Sequence, residues 1–257
     1  MSVFIFTGPT LSPEAGLGVM KATYLPPAAE GDVYRAALRQ PRVIGIIDGY
    51  FQSTPAVRHK EILWAMSHGV HVFGSASMGA LRAAELAAFG MEGVGTIFGW
   101  YRDGVIEDDD EVAVAHGPPE NGFVACSEAM VNIRQTLRQA ELRGILSVEQ
   151  RHALEEIGKA LFYPERTYSK LIRAAADAGL AESDLRRLEA WLPENRVDQK
   201  REDALEMLNV IRNRLKDNLP PKTVAFSFQH TAMWEQARQR IATDAKELVS
   251  AETAADA

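Results

Sequence analysis

The feature that most constrains this chain is a rhythm in its first 117 or so residues, where short β-branched runs alternate with segments of helical periodicity. The apolar runs are "VFIF", "ATYLP", "RVIGIID", "GVHVFG" and "EVAVAH"; between them lie "DVYRAALRQ", "AVRHKEILWAMSH" and "MGALRAAELAAF". Strands that alternate with helices pair in parallel, because each helix carries the chain back to the end where the next strand begins. The expectation is an α/β fold with a Rossmann-like parallel-sheet core. From about residue 125 the apolar residues recur every three or four positions, in "ACSEAMVNIRQTLRQAELRG" and "DALEMLNVIRNRLKDN", which reads as helix. The expected division is residues 1–120 as the α/β core, 121–250 as a helical region broken at "LPPKTV", and 251–257 as a mobile tail with nothing large to bury.

Composition narrows the function classes. With 257 residues, 46% of them hydrophobic, the chain can bury a sizeable core. A formal net charge of -7 argues against general binding to nucleic acid, which rests on many clustered cations displacing counterions. The single cysteine, Cys126, excludes an intrachain disulfide framework and fits a reducing cytoplasm. Set in an apolar, helical stretch, it reads as an inert packed thiol. The opening "MSVFIFTGPTL" has no basic residue before its short apolar run, so a buried first strand is expected rather than a secretory signal. No window approaches the roughly 20 apolar residues that span a bilayer. A soluble, cytoplasmic protein with no membrane or nucleic-acid partner is expected.

In an open parallel sheet, ligands gather beyond the carboxyl ends of the strands. Four unconnected segments then converge on one edge: the loop from Thr7 through Gly8 and Thr10 to Ser12, Asp48-Gly49-Tyr50, Ser75-Ala76-Ser77, and His116 if "EVAVAH" is a fifth strand in the same direction. Asp48 can serve there or simply cap a turn before Gly49. Ser75 reads as an N-cap. Ser77 is either a cap or a nucleophile, because Ser75-Ala76-Ser77-Met78-Gly79 is close to a G-x-S-x-G elbow that lacks only its first glycine. The next helix is expected to open at Ser53 or Thr54 with Pro55 in its first turn. That start puts His59 on the apolar face with Ile62, Leu63 and Met66, either as a base near the edge or as a hydrogen-bonded core residue. Lys60 is a base or merely solvated. Arg82 and Glu85, three apart on a helix, form a surface ion pair. The run Glu107 to Glu111 invites a metal, yet consecutive carboxylates diverge on an extended chain, so a solvated or arginine-binding loop is expected.

Taken together, "FTGPTL", "PPAAEGDVY", "IDGYF", "RHKEIL", "GSASMGALRAAELAAFGMEGVGTIFGWYRDG" and "DDDEVAVAH" resemble the TfuA-like proteins over roughly residues 1–167. The family's "SMGALRAAEL" signature falls on Ser77 to Leu86, and its "DGYF" on Asp48 to Phe51. The resemblance implies an accessory protein for YcaO enzymes, which use ATP to install backbone thioamides in peptides or proteins, including ribosomally made natural products. It also implies hydrolysis of the C-terminal thiocarboxylate on a ThiS-like sulfur carrier, releasing sulfide for the YcaO partner. The implied partners are the YcaO enzyme, the sulfur carrier and the thioamidated peptide or protein. No cofactor and no metal are expected.

Such a hydrolysis needs a nucleophile, a proton shuttle and donors for a tetrahedral oxyanion. In this reading Ser77 attacks or positions water, N–H groups around Met78 and Gly79 hold the oxyanion, and His59 or Lys60 takes the proton. Asp48 orients that base and Thr10 contacts the carrier's terminus. Gly8, Ser75, Arg82 and His116 complete the expected binding residues. Two rivals stand beside it: a non-catalytic adaptor that docks the carrier or substrate on the YcaO enzyme, and a nucleotide-binding module suggested by "TGPTL" but lacking the phosphate-loop spacing and its lysine.

Overall fold

A computed structural model of the chain describes residues 2–52 and 54–241. Its sheet has five strands, β1 (Val3–Phe6), β2 (Thr23–Leu25), β3 (Val43–Ile46), β4 (His71–Ser75) and β5 (Glu92–Val94), in the order β2-β1-β3-β4-β5. Every adjacent pair is parallel, so the expected α/β fold is the observed one. The central strands are buried on both faces, which is why they read as continuous apolar runs rather than alternating ones. Along β1, Phe4 and Phe6 face one layer while Val3 and Ile5 face the other.

The connecting helices are α1 (Pro13–Leu17), α2 (Asp32–Leu38), α3 (His59–Ser67), α4 (Met78–Leu86) and α5 (Thr96–Arg102). Against the expected start at Pro55, α3 begins at His59. Glu61, nearly fully buried, reaches back to accept from the Arg58 amide at 3.1 Å, and that capping contact sets the start. Ser53 lies outside the described residues.

The fifth strand is a correction. "EVAVAH" does not join the sheet: Asp109–Glu111 form one turn of 3-10 helix, and His116 makes a single antiparallel bridge to Ala125. Glu111 is clasped by two bonds from Arg134, at 2.9 and 2.8 Å, which draws this run across the end of the sheet towards the helical region. The edge position is taken instead by the three residues of β5.

Beyond it, α6 (Met130–Leu142), α7 (Val148–Ala160), α8 (Tyr168–Asp177) and α9 (Glu182–Asn195) enclose their own core of Ile133, Leu137, Leu154, Leu171 and Leu188. Cys126 precedes α6 and is exposed, contrary to the packed helical thiol expected. The next helix, α10 (Gln199–Lys216), leaves that bundle and packs Met207, Leu208 and Ile211 on Val3, Ile5 and Phe73 of the sheet. Residues 232–241 are again helical and lie on the opposite layer, where Trp234 meets Tyr34 edge-on at 5.3 Å. Among the described residues all five strands precede residue 120, while the packing brings segments from beyond residue 198 back to both faces of the sheet. Residues 251–257, expected to be a mobile tail, lie outside the described residues. Among those described, no helix is long and apolar enough to cross a membrane.

Candidate active site

The strand order reverses between β1 and β3, and the crevice beyond their carboxyl ends is where open α/β sheets hold ligands. Asp48 stands there, just past the end of β3, and is itself buried. Its carboxylate accepts from the Gly8 and Thr10 amides at 2.8 and 3.0 Å and from the Thr10 hydroxyl at 2.6 Å. Asp48 therefore organises the loop after β1, some forty residues away in sequence, rather than its own local turn. On its other side is Lys200, the second residue of α10, with Nζ 4.0 Å from Asp48 Oδ1 and 2.9 Å from the Val112 carbonyl to which it donates. Burial pushes the Lys200 ammonium below the usual lysine range, and Asp48 opposes that shift.

Beyond β4 the chain turns sharply. Ala76 has φ +66°, and the Ser77 amide donates to the Ser75 carbonyl at 2.7 Å, closing a three-residue turn around it. A left-handed alanine in such a turn carries strain of about 1–3 kcal/mol, a feature that gathers at functional sites. Ser77 follows with φ -124° and ψ -128° and makes no side-chain cap bond, although it holds the N-cap position of α4. Its hydroxyl is thus uncommitted among the described residues, and Ser77 lines a narrow cleft. Ser75 differs from expectation: it is not a cap but a buried hydroxyl facing the Val94 and Asp203 carbonyls, each at 2.9 Å, tying β4 to β5 and α10.

Close approach of α4 to the sheet depends on Gly79, where a Cβ would stand 1.8 Å from the Ile46 carbonyl oxygen. The Gly79 amide is consequently taken, donating to the Ile47 carbonyl at 3.2 Å, so it is not free for an oxyanion as expected. The Met78 amide has no partner among the described residues, nor has that of Gly49. These two residues are neighbours: a Cβ on Gly49 would lie 2.9 Å from that of Met78, and both line the cleft.

The opposite wall comes from residues 112–116. His116 reaches the cleft although the strand expected to carry it there does not form. Its Nδ1 lies 2.8 Å from the Gly117 carbonyl. A carbonyl can only accept, so Nδ1 carries the proton and Nε2 remains an acceptor in the neutral ring. His59 and Lys60 do not line the cleft. The half-exposed His59 pairs with Glu85 at 2.7 Å, and the Lys60 ammonium sits over the Phe228 ring. Arg82 forms the expected pair with Glu85, also at 2.7 Å, and donates to the Val57 carbonyl.

The acidic run is an arginine- and lysine-binding segment. Arg166, fully buried, donates to the Asp110 carboxylate at 2.8 Å and to three carbonyls, while Lys159 pairs with Asp108, Asp110 and Glu111. Burial would push the Asp110 carboxyl up, but the bonds from Lys159 and Arg166 outweigh it and hold the group below the usual range. Among the described residues no cluster of His, Cys, Asp or Glu is arranged to hold a metal.

Lys200 lies outside the residues the sequence motifs point to, yet it is in register with Ala204, Met207 and Ile211 on the buried face of α10. No curated protein matches the chain. A family model, TfuA-like protein, matches residues 48–167. That span starts at Asp48 and includes Ser77, His116 and Arg166, whereas Thr10 and Lys200 reach the site from outside it. Across the segment that builds both walls of the cleft, the chain is thus similar to the TfuA-like proteins.

Proposed function

We propose that this protein hydrolyses the C-terminal thiocarboxylate of a ThiS-like sulfur carrier and so supplies sulfide to a YcaO enzyme for backbone thioamidation. The observation that carries the reading is that a serine on a strained turn and two amides, all without a partner among the described residues, line one cleft with an imidazole that has an acceptor nitrogen. Ser77 Oγ attacks the carbonyl carbon and gives its proton to His116 Nε2. The Met78 and Gly49 amides hold the oxyanion. The C–S bond then breaks, the sulfur leaves with the proton returned by His116, and an acyl-Ser77 ester remains. Water attacks that ester, again through His116, restoring Ser77 and leaving the carrier with a carboxylate. Asp48 holds the β1 loop that forms the floor.

One observation favours a non-catalytic adaptor instead: no carboxylate bonds to His116 among the described residues, so the imidazole lacks the third member of a triad. Mixing purified protein with thiocarboxylated carrier and following sulfide separates the two. The hydrolase reading expects sulfide without the YcaO enzyme. An adaptor releases none, yet accelerates thioamidation even when free sulfide is saturating.

A further inference from the structure

The wall of the cleft that carries His116 is an unfinished piece of sheet. Residues 115–117 pair on one side with 124–127: the Ala115 carbonyl accepts from Cys126 at 2.7 Å, the Gly117 amide donates to Val124 at 2.8 Å, and the Ala115 amide donates to the Ser127 hydroxyl at 2.8 Å. In an extended chain, successive residues turn their N–H and C=O groups to opposite sides. The corresponding groups of Val114 and His116 therefore face away from that pairing. None of these four has a partner among the described residues. The cleft is lined by 112, 113, 114 and 116 but by none of 124–127, so the unpaired edge borders the cleft and the turn bearing Ser77. Half-buried backbone donors and acceptors left unpaired cost free energy unless something completes them.

We infer that the edge Val114–His116 is a binding site for an extended peptide, which adds as a strand and presents its terminal acyl carbon to Ser77. This rests on the hydrolytic reading only for what the peptide's end carries; the pairing itself does not depend on it. Three consecutive ligand residues satisfy both Val114 and His116, and the narrow cleft calls for small side chains at the end of the chain. A second, open cavity shares Pro9 and Val114 with the first and gives the remainder of the peptide a path outward past Thr10, Arg196 and Lys200.

The test uses the full chain and a synthetic peptide of about eight residues copying the carrier's C-terminus, as the free carboxylate, with each amide N-methylated in turn. Strand pairing predicts that affinity falls about tenfold or more at the two alternate positions whose amides face the edge and little at the one between them, since the edge is three residues long. Bound peptide also slows exchange of the Val114 and His116 amides. Equal tolerance at all positions, loss at adjacent positions, unchanged exchange or absence of binding at millimolar peptide each overturns the proposal. Because a carboxylate has no sulfur to release, this outcome is independent of sulfide production: a period-two pattern with no hydrolysis of the thiocarboxylated carrier would keep the edge and discard the chemistry.

Discussion

Replacing Asp48 with asparagine isolates what one buried carboxylate does in this fold. The amide side chain could still accept from the Gly8 and Thr10 amides through its oxygen and donate to the Thr10 hydroxyl, but it would leave the buried Lys200 without its nearest anion. Asp48→Asn is expected to cost about 3 kcal/mol, as breaking a buried pair does. Lys200→Met should cost less than that when Asp48 is already replaced, so the double variant falls short of the sum by about 1 kcal/mol or more in denaturant titrations. Additive costs would mean that the two groups do not share a network. At this scale the sequence was informative about residue types and weaker about partners. The placement of Asp48 at a strand end was legible, but its bonds to Gly8 and Thr10 were not, since nothing local relates positions 40 apart. His59 shares a helical face with the buried Ile62 and Met66, as the spacing predicts, but as the first residue of α3 it stands at the rim, half-exposed beside Glu85, rather than over the core. Lys200 hid in a run of charged neighbours, where solvation is the ordinary fate of a lysine.

Two glycines show how closely the elements are fitted. Gly79→Ala sets a methyl against the Ile46 carbonyl, which belongs to the sheet and cannot yield, and should cost at least about 3 kcal/mol in denaturant titration. Gly99, inside α5, has open space where a Cβ would go, so Gly99→Ala should stabilise by about 0.5–1 kcal/mol. The reverse ranking would mean that α4 does not abut β3 as described. The start of α5 is held by Asp203 of α10, whose carboxylate accepts from the Ile97 amide at 2.7 Å and from Gln199 at 2.7 Å. Burial pushes Asp203 up to about 6 despite those bonds. The unfolded chain loses this proton near pH 4 and the folded chain only near 6, so folding becomes less favourable as pH rises through that window. Against Asp203→Asn, which does not titrate, the wild-type protein should lose roughly 2 kcal/mol of relative stability between about pH 4 and 6.5. A difference flat with pH would refute the burial of Asp203. Four of the five strands were legible as apolar runs. The fifth was not, because "EGV" carries no pattern and "EVAVAH", which does, is drawn out of the sheet by Arg134.

For the whole molecule, the cleft is a product of both halves of the chain. The sheet contributes Ser77, Asp48 and the β1 loop, and the opposite wall is held by Lys200 from α10 and, through Asp110, by Arg166 beside the α6–α9 bundle. Periodicity revealed that the second half is helical, but not that α10 returns to the sheet, since an apolar helix face does not say which surface covers it. Arg166→Met leaves three carbonyls without their donor and the Asp110 carboxylate with Lys159 alone, and should destabilise by about 3 kcal/mol while lowering sulfide release from the protein that stays folded. Activity unchanged in the folded fraction would disconnect the bundle from the site. The most direct test of the account is sulfide release from thiocarboxylated carrier by wild type, Ser77→Ala and Ser75→Ala, with thermal midpoints measured alongside. The account predicts that Ser77→Ala folds as wild type and releases sulfide roughly a hundredfold or more slower, while Ser75→Ala loses about 1 kcal/mol of stability and keeps its activity. A folded Ser77→Ala protein with wild-type sulfide release would contradict it.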